Sequence, residues 1–350
     1  MMDKNFPIFK TKIPGDKKVF DLDDPVDRRK YFEHKADAEI EKLRDYLRKN
    51  TFVGFLIGQK GSGKGTYAKM FAEAVGPEYI EHISIGDIIR RIDVEFKKKE
   101  FLDFLKANYR GPVSLSDIIK SLTNRSTKIL LPTELILTLV QAEISKLGRK
   151  AVFIDGFPRN LDQISYSLYF RALIGYRDDP DFFVFIDVPE SVIDERMKYR
   201  VICPKCQTSR NIKLLATKEI GFDKKNKKFY LICDEDQSRM MTKEGDELGI
   251  EAIRDRIEAD EKVAENLMKM QGVAKIFLRN SLPIETAKKY TDDYEITLAY
   301  NYEFDNQANQ VRIIKEPWSI KDNNGVLSYS LLAPPVVVAL IKQMVKVLGL

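Results

Sequence analysis

The segment Gly58, Gln59, Lys60, Gly61, Ser62, Gly63, Lys64, Gly65, Thr66 constrains this chain more than any other stretch. Residues 51–57 before it are nearly all apolar, the composition of a strand buried on both faces of a parallel sheet. Residues 67–75 after it carry apolar side chains at helical spacing. Strand, glycine loop and helix in that order have the P-loop form G-x-x-x-x-G-K, whose backbone amides wrap a phosphate. Glycines keep the cradle open, the helix N-terminus adds partial positive charge, and Lys64 supplies a cation for the outer phosphates. The flanking strand and helix disfavour a glycine turn without a ligand. Thr66 stands one place later than the metal-binding hydroxyl of Ras-type NTPases, so Mg²⁺ is expected to be held differently here.

The rest of the chain continues the alternation. Residues 80–85, 151–154 and 182–188 are further candidate strands, and 135–147 a strong helix. Strands separated by helices imply right-handed crossovers and a parallel sheet covered on both sides. The expected fold class is therefore α/β, a P-loop NTPase fold interrupted by two inserted subdomains, 85–131 and 200–245. The core takes 51–84, 132–199 and 246–350. Residues 1–50 form an N-terminal extension: an extended arm, then a helix opened by Asp24 and Pro25 and docked on the body through Ile40, Leu43 and Leu47. Near the C-terminus, 297–304 and 311–314 alternate like a hairpin and 336–348 reads as a final helix. Which of these segments supplies the last core strand stays open.

Composition narrows the partners. The 350 residues are 44% apolar and 32% charged, and 58 Lys and Arg against 53 Asp and Glu leave only +5, spread along the chain. Such a balance gives no reason to expect nucleic acid. The longest apolar run, 331–341, is broken by Pro334 and Pro335 and stopped by Lys342, short of a bilayer span. The first residues contain no apolar export segment, and three cysteines make no closed disulfide framework. These features point to a soluble protein of a reducing, cytoplasmic compartment with neither membrane nor nucleic-acid partner, and a monomer is expected.

A second motif follows: an apolar strand ending in Asp155, then Gly156, Phe157, Pro158 and Arg159. The aspartate stands at a Walker-B position, where a carboxylate orients Mg²⁺ through its waters. Arg159 lies just past the strand end, on the edge where open α/β sheets bind ligands. A surface ion pair is the alternative for a lone arginine and is the weaker one beside a P-loop.

With the segment Ile83, Ser84, Ile85, Gly86, Asp87, Ile88, Ile89, Arg90 between them, these motifs resemble, in order, those of the adenylate kinase family over residues 51–271. The resemblance implies reversible phosphoryl transfer from ATP·Mg²⁺ to AMP, giving two ADP. It implies that Gly61, Ser62, Gly63, Lys64, Gly65 and Thr66 hold ATP, and that Asp87 and Asp155 orient the waters of Mg²⁺. Arg90 and Arg159 would hold the acceptor phosphate, and forked guanidinium groups suit its oxygens. Gln163 would read the acceptor base, with Ile129, Leu130, Leu131, Ile85 and Gly156 around it.

Arg196 and Arg200, four apart, read as one face of a helix following the fourth strand. Alone they would be an ordinary charged face. By the resemblance, Arg196 covers the donor adenine, while Arg200 and Arg256, the latter also on the acceptor side, clamp phosphates, so that Lys64, Arg159, Arg200 and Arg256 form the catalytic set. The chain departs from the family at Gly245, where an arginine is usual, with Lys243 or Arg239 as cationic substitutes and Asp246 and Glu247 nearby. It departs again at Ile85, where the family carries threonine. Asn160 and Asp162 are similar to the pyrimidine kinases, which leaves UMP or CMP as an alternative acceptor. A non-catalytic ATP-binding zinc protein is the other alternative. A glutamine amide that donates and accepts across a purine edge favours AMP.

All three cysteines fall in one pattern, Cys203-x-x-Cys206 and Cys233-x-x-Asp236. Paired knuckles of this spacing fit a tetrahedral structural Zn²⁺ site with three thiolates and one carboxylate, as in many lids of the bacterial family. Reduced structural cysteines or a nucleic-acid-binding ribbon are the alternatives for this segment alone.

Overall fold

The computed structural model describes residues 6–96, 98–117, 132–158, 179–242 and 245–350, with the backbone alone at 90, 93 and 94. Among them a five-stranded parallel sheet runs in the order β10-β4-β1-β3-β2, from Ala274–Arg279 (β10), Asp181–Asp187 (β4), Val53–Ile57 (β1), Ala151–Asp155 (β3) and Ile80–Ser84 (β2). The central strand pairs on both sides, Phe55 lying opposite Ile154 of β3 and Phe183 of β4. The chain crosses over β1 on its way from β3 to β4, and crevices at such reversals are where open α/β sheets take ligands.

Strand periodicity divides the core between the two faces of the sheet. Phe52, Phe153 and Phe182 pack on one face, with α1 (Pro25–Leu47), α2 (Lys64–Val75) and α9 (Ala333–Val347). Phe55, Val152, Ile154 and Phe183 point to the other, beneath α5 (Thr133–Lys146) and α7 (Arg254–Lys269). Among the described residues before 200, the other helices are α3 (Ile85–Glu95), α4 (Lys99–Asn108) and α6 (Glu190–Lys198).

The N-terminal helix starts where expected. The Asp24 side chain accepts hydrogen bonds from the amides of Val26 and Asp27, and Pro25 takes the first helical position. Ile40 and Leu43 are fully buried and Leu47 is 3% exposed, each contributing about 2 kcal/mol of apolar burial. Its buried Lys35 reaches Asp292 at 2.7 Å, and Tyr31 and Thr11 donate to the buried Glu295, which fastens the extension to the C-terminal region.

The last core strand is β10, which precedes the hairpin. Between β10 and α9 the chain builds β11 (Ser281–Pro283), α8 (Ile284–Tyr290), the hairpin of β12 (Leu298–Asp305) and β13 (Gln310–Pro317), then β14 (Ser319–Lys321) and β15 (Leu327–Ser330). The segment expected as a lid holds β5 (Arg200–Ile202), β6 (Ser209–Asn211) and β9 (Met241–Thr242) in one small sheet and β7 (Glu219–Asp223) with β8 (Lys228–Ile232) in another. No described helix is long and apolar enough to cross a membrane.

Candidate functional site

The glycine loop joins β1 to α2 at the carboxyl edge of the sheet. Gly63 caps α2 at φ +92°, a left-handed conformation that side chains disfavour. Gly58 is required for space, because a Cβ there would lie 2.9 Å from the carbonyl oxygen of Ile186. Lys64 folds back over the loop and donates to the carbonyls of Gly58 at 2.8 Å and Gln59 at 3.0 Å. Its Nζ also lies 3.7 Å from Asp155 Oδ1, at the end of β3. Burial lowers the Lys64 pKa, and the Asp155 charge works against that fall. The Ser62 hydroxyl is buried in the loop without a hydrogen-bond partner.

His82 of β2, the strand beside β3, is a third titratable group next to Asp155. Its Nε2 is buried, makes no hydrogen bond, and lies 3.9 Å from Asp155 Oδ2. Burial lowers its pKa, opposed by Asp155. Sequence reasoning missed His82; the available signal was an imidazole flanked by Glu81 and Ile83 in a short strand, two residues before its end.

Helix α7 is tied to the loop from the opposite side. The Lys60 amide donates to Asp260 Oδ2 at 3.1 Å, and Gln59 Nε2 to Glu261 Oε1 at 3.1 Å. One turn earlier, Arg256 Nε stands 4.0 Å from Asp260 Oδ2, and the Arg256 charge acts on Lys64. Arg256 and Lys64 thus share one neighbourhood.

Arg200 does not continue the helix of Arg196. Helix α6 ends at Lys198, Tyr199 turns to φ −105°, and Arg200 opens β5, so the expectation of one shared helix face is corrected. The competing pull is the lid sheet, where Arg200 pairs opposite Asn211. Its guanidinium forks onto Asp246, Nε to Oδ2 at 2.6 Å and Nη2 to Oδ1 at 2.7 Å. Gly245, at the spacing of the missing arginine, takes φ +84° ahead of a 3₁₀ turn, Asp246–Ile253. Arg196 sits beside the hydroxyl of the buried Tyr67, whose pKa burial raises and the arginine pulls back.

Strand β2 stops at Ser84 and Ile85 begins α3, 1% exposed in the apolar layer. Asp87 is exposed in the first turn of α3, its amide 3.4 Å from the Ser84 hydroxyl. Gly156 follows β3 with φ +88°. Arg90 lies in α3, and its side chain is outside the described residues, as are Ile129, Leu130, Leu131, Arg159, Gln163 and Lys243.

The two knuckles are copies of one another. The Cys203 amide bonds to the Thr208 carbonyl and the Gln207 amide to the Cys203 carbonyl; Cys233, Ser238 and Gln237 repeat both contacts. Gln207 and Gln237 share the left-handed φ, +62° and +60°. This equivalence makes Asp236 the counterpart of Cys206. Hydrogen bonds from Cys203 and Ser238 hold the Asp236 carboxyl below the ordinary range. The ligand atoms of Cys203, Cys206, Cys233 and Asp236 all lie within 4.8 Å of one another. Zn–S bonds of 2.3 Å in a tetrahedron separate sulfurs by about 3.8 Å, so the donor set fits zinc in kind and in spacing.

Comparison with known proteins agrees with this geometry. A family model described as an AAA domain matches residues 57–202. The chain is 31% identical to the adenylate kinase of Clostridium acetobutylicum over 214 residues, which is 61% of this chain and 83% of that protein. It is 32% identical to that of Thermotoga petrophila over 191 residues (54% and 72%) and 30% to that of Clostridium novyi over 219 (61% and 83%).

Proposed function

The chain belongs to the adenylate kinase family, and from that premise we propose that it transfers the terminal phosphoryl group of ATP reversibly to AMP, giving two ADP. The observation that carries the reading is the placement of Lys64 against Asp155, 3.7 Å apart, across the glycine loop and the neighbouring strand end. A phosphate-seeking cation and a metal-orienting carboxylate meet at the sheet's ligand edge.

In this reading Gly61, Ser62, Gly63, Gly65 and Thr66 cradle ATP, and Lys64 exchanges its loop carbonyls for phosphate oxygens. Asp155 and Asp87 orient the waters of Mg²⁺, which when bound neutralises phosphate charge. Arg196 lies over the donor adenine, while Arg200 and Arg256 clamp phosphates. Arg90 and Arg159 hold AMP, and Gln163 reads its base beside Ile85, Ile129, Leu130, Leu131 and Gly156. An AMP phosphate oxygen attacks the γ-phosphorus as the bond to the bridging oxygen of ADP breaks. That nucleophile is already ionised, so no general base is required, and the chain's task is alignment and charge compensation.

Cys203, Cys206, Cys233 and Asp236 would hold Zn²⁺ with no open coordination position, a structural role. Reduced thiols of this kind suit a cytoplasmic enzyme, working as a monomer on free nucleotides. Lys64→Met tests the assignment of the loop: folding should be retained and turnover should fall about 10²–10³-fold. Near-wild-type turnover would remove this loop from the chemistry.

A further inference from the structure

The hairpin between the last core strand and the last helix spans two parts of the molecule. Its root is buried: Ala299 and Trp318 are 7% and 8% exposed in the main core, and the Trp318 amide donates to the Thr297 carbonyl at 3.0 Å. Just before it, Glu295 is fully buried against α1. Its arm reaches the lid. Tyr300, Tyr302 and Phe304 alternate along β12, so their side chains share one face, while Asn301, Glu303 and Asp305 are exposed on the other.

This strand meets the lid through the Tyr300 backbone and the Tyr302 and Phe304 side chains. The Tyr300 amide donates to the Lys213 carbonyl at 2.8 Å, and the Tyr302 hydroxyl to the Ile212 carbonyl at 2.5 Å. Phe304 stacks on Phe222 with centroids 4.4 Å apart and planes 20° from parallel, and Tyr302 packs on Phe229 at 5.5 Å. At the tip, Lys224 donates to Asn309 at 2.7 Å. The lid has little core of its own: its buried cluster is Val201, Cys203, Leu231, Cys233 and Met240. The rings of Phe222 and Phe229 are instead covered by the hairpin. The segment behind it also holds the helix that leads into the lid, since Asn323 accepts from the Glu190 amide at 2.9 Å and Lys321 from the Ser191 hydroxyl at 3.0 Å.

We infer that the β12–β13 hairpin is a positioning element for the lid, with Tyr302 and Phe304 its positioning residues: it fixes the β7–β8 arm to the core and thereby sets how the lid presents itself to the donor nucleotide. The inference rests on the phosphoryl-transfer reading for its consequence and on the contacts above for its geometry. A lid that leaves the aromatic face closes less well over ATP, and water reaches the donor. The acceptor side should be indifferent to it.

The test uses the full zinc-loaded chain and the variants Phe304→Ser, Tyr302→Leu and Phe304→Tyr. Loss of one aromatic pair corresponds to a rise of roughly three- to ten-fold in KM for ATP. The expected result is that rise in Phe304→Ser and Tyr302→Leu, with KM for AMP unchanged, faster amide exchange over residues 219–232, and unchanged exchange in β1 and β3. Phe304→Tyr, which keeps the stack, should behave as wild type. Unchanged ATP KM and lid exchange in the first two variants would overturn the proposal, and so would equal losses for both nucleotides with loosened core strands. If the wild-type chain makes no ADP, the phosphoryl-transfer reading fails, while amide exchange still decides whether the hairpin holds the lid.

Discussion

Arg200 and Asp246 close the neck of the lid: the first residue of β5 is forked onto the first residue of the 3₁₀ turn that leads back to the core, by bonds of 2.6 and 2.7 Å. Asp246 stands one residue beyond the position where the family's further arginine is missing. A charge-assisted fork between partly buried groups joins the two ends of the lid.

A double-mutant cycle should therefore find Arg200 and Asp246 coupled. Arg200→Ala and Asp246→Ala should each lower unfolding free energy by about 1–2 kcal/mol, and the pair together by less than the sum. Kinetics separates the neck from the clamp. If Arg200 also grips phosphate, Arg200→Ala should reduce kcat/KM for ATP well beyond Asp246→Ala. Equal kinetic losses would confine Arg200 to the neck.

Asp260 links the helix of Arg256 to the glycine loop through the Lys60 amide at 3.1 Å. Asp260→Ala should weaken binding of a non-hydrolysable ATP analogue by roughly ten-fold, the equivalent of one hydrogen bond to a charged acceptor. AMP binding should weaken far less, since Arg256 loses only a 4.0 Å ion pair, and Asp260→Asn, which keeps an acceptor oxygen, should lie between. Calorimetric titration with each nucleotide reads the difference. Equal weakening of both would mean that α7 has moved as a whole.

Zinc should be present at one ion per chain by elemental analysis of the purified protein. Chelation, or Cys233→Ser, should lower thermal stability and loosen residues 200–245, because the lid's own apolar cluster is small and binding energy at the metal does the folding there. The glycine loop should still bind nucleotide afterwards. Full stability in a preparation free of zinc or any comparable ion would show that the knuckles hold without it.

What could be read in advance was whatever the chain declares locally. The apolar run before Gly58, the helix after it, Asp155 closing a strand and the paired knuckles are patterns within a few residues, and each lies where its spacing indicated. The failure at Arg200 was also local in form: a four-residue offset is a helical signal, but Asp246, 46 residues away, and the lid sheet decide the conformation. The alternation of Tyr300, Tyr302 and Phe304 announced a strand without announcing its partner, since Phe222 and Phe229 are brought to it by the fold. His82 was overlooked for the same reason: only strand order sets it beside Asp155.

The central claim is the reaction itself, and a panel of acceptors tests it most directly. Purified chain with ATP·Mg²⁺ and AMP, UMP, CMP or GMP in turn, followed by ADP formation, should give the highest kcat/KM with AMP and run in reverse from ADP alone to ATP and AMP. Gln163, if it reads the acceptor base, would favour a purine edge that both donates and accepts. Preference for a pyrimidine acceptor would contradict the assignment of AMP, and ATP binding with no transfer to any acceptor would contradict the enzyme.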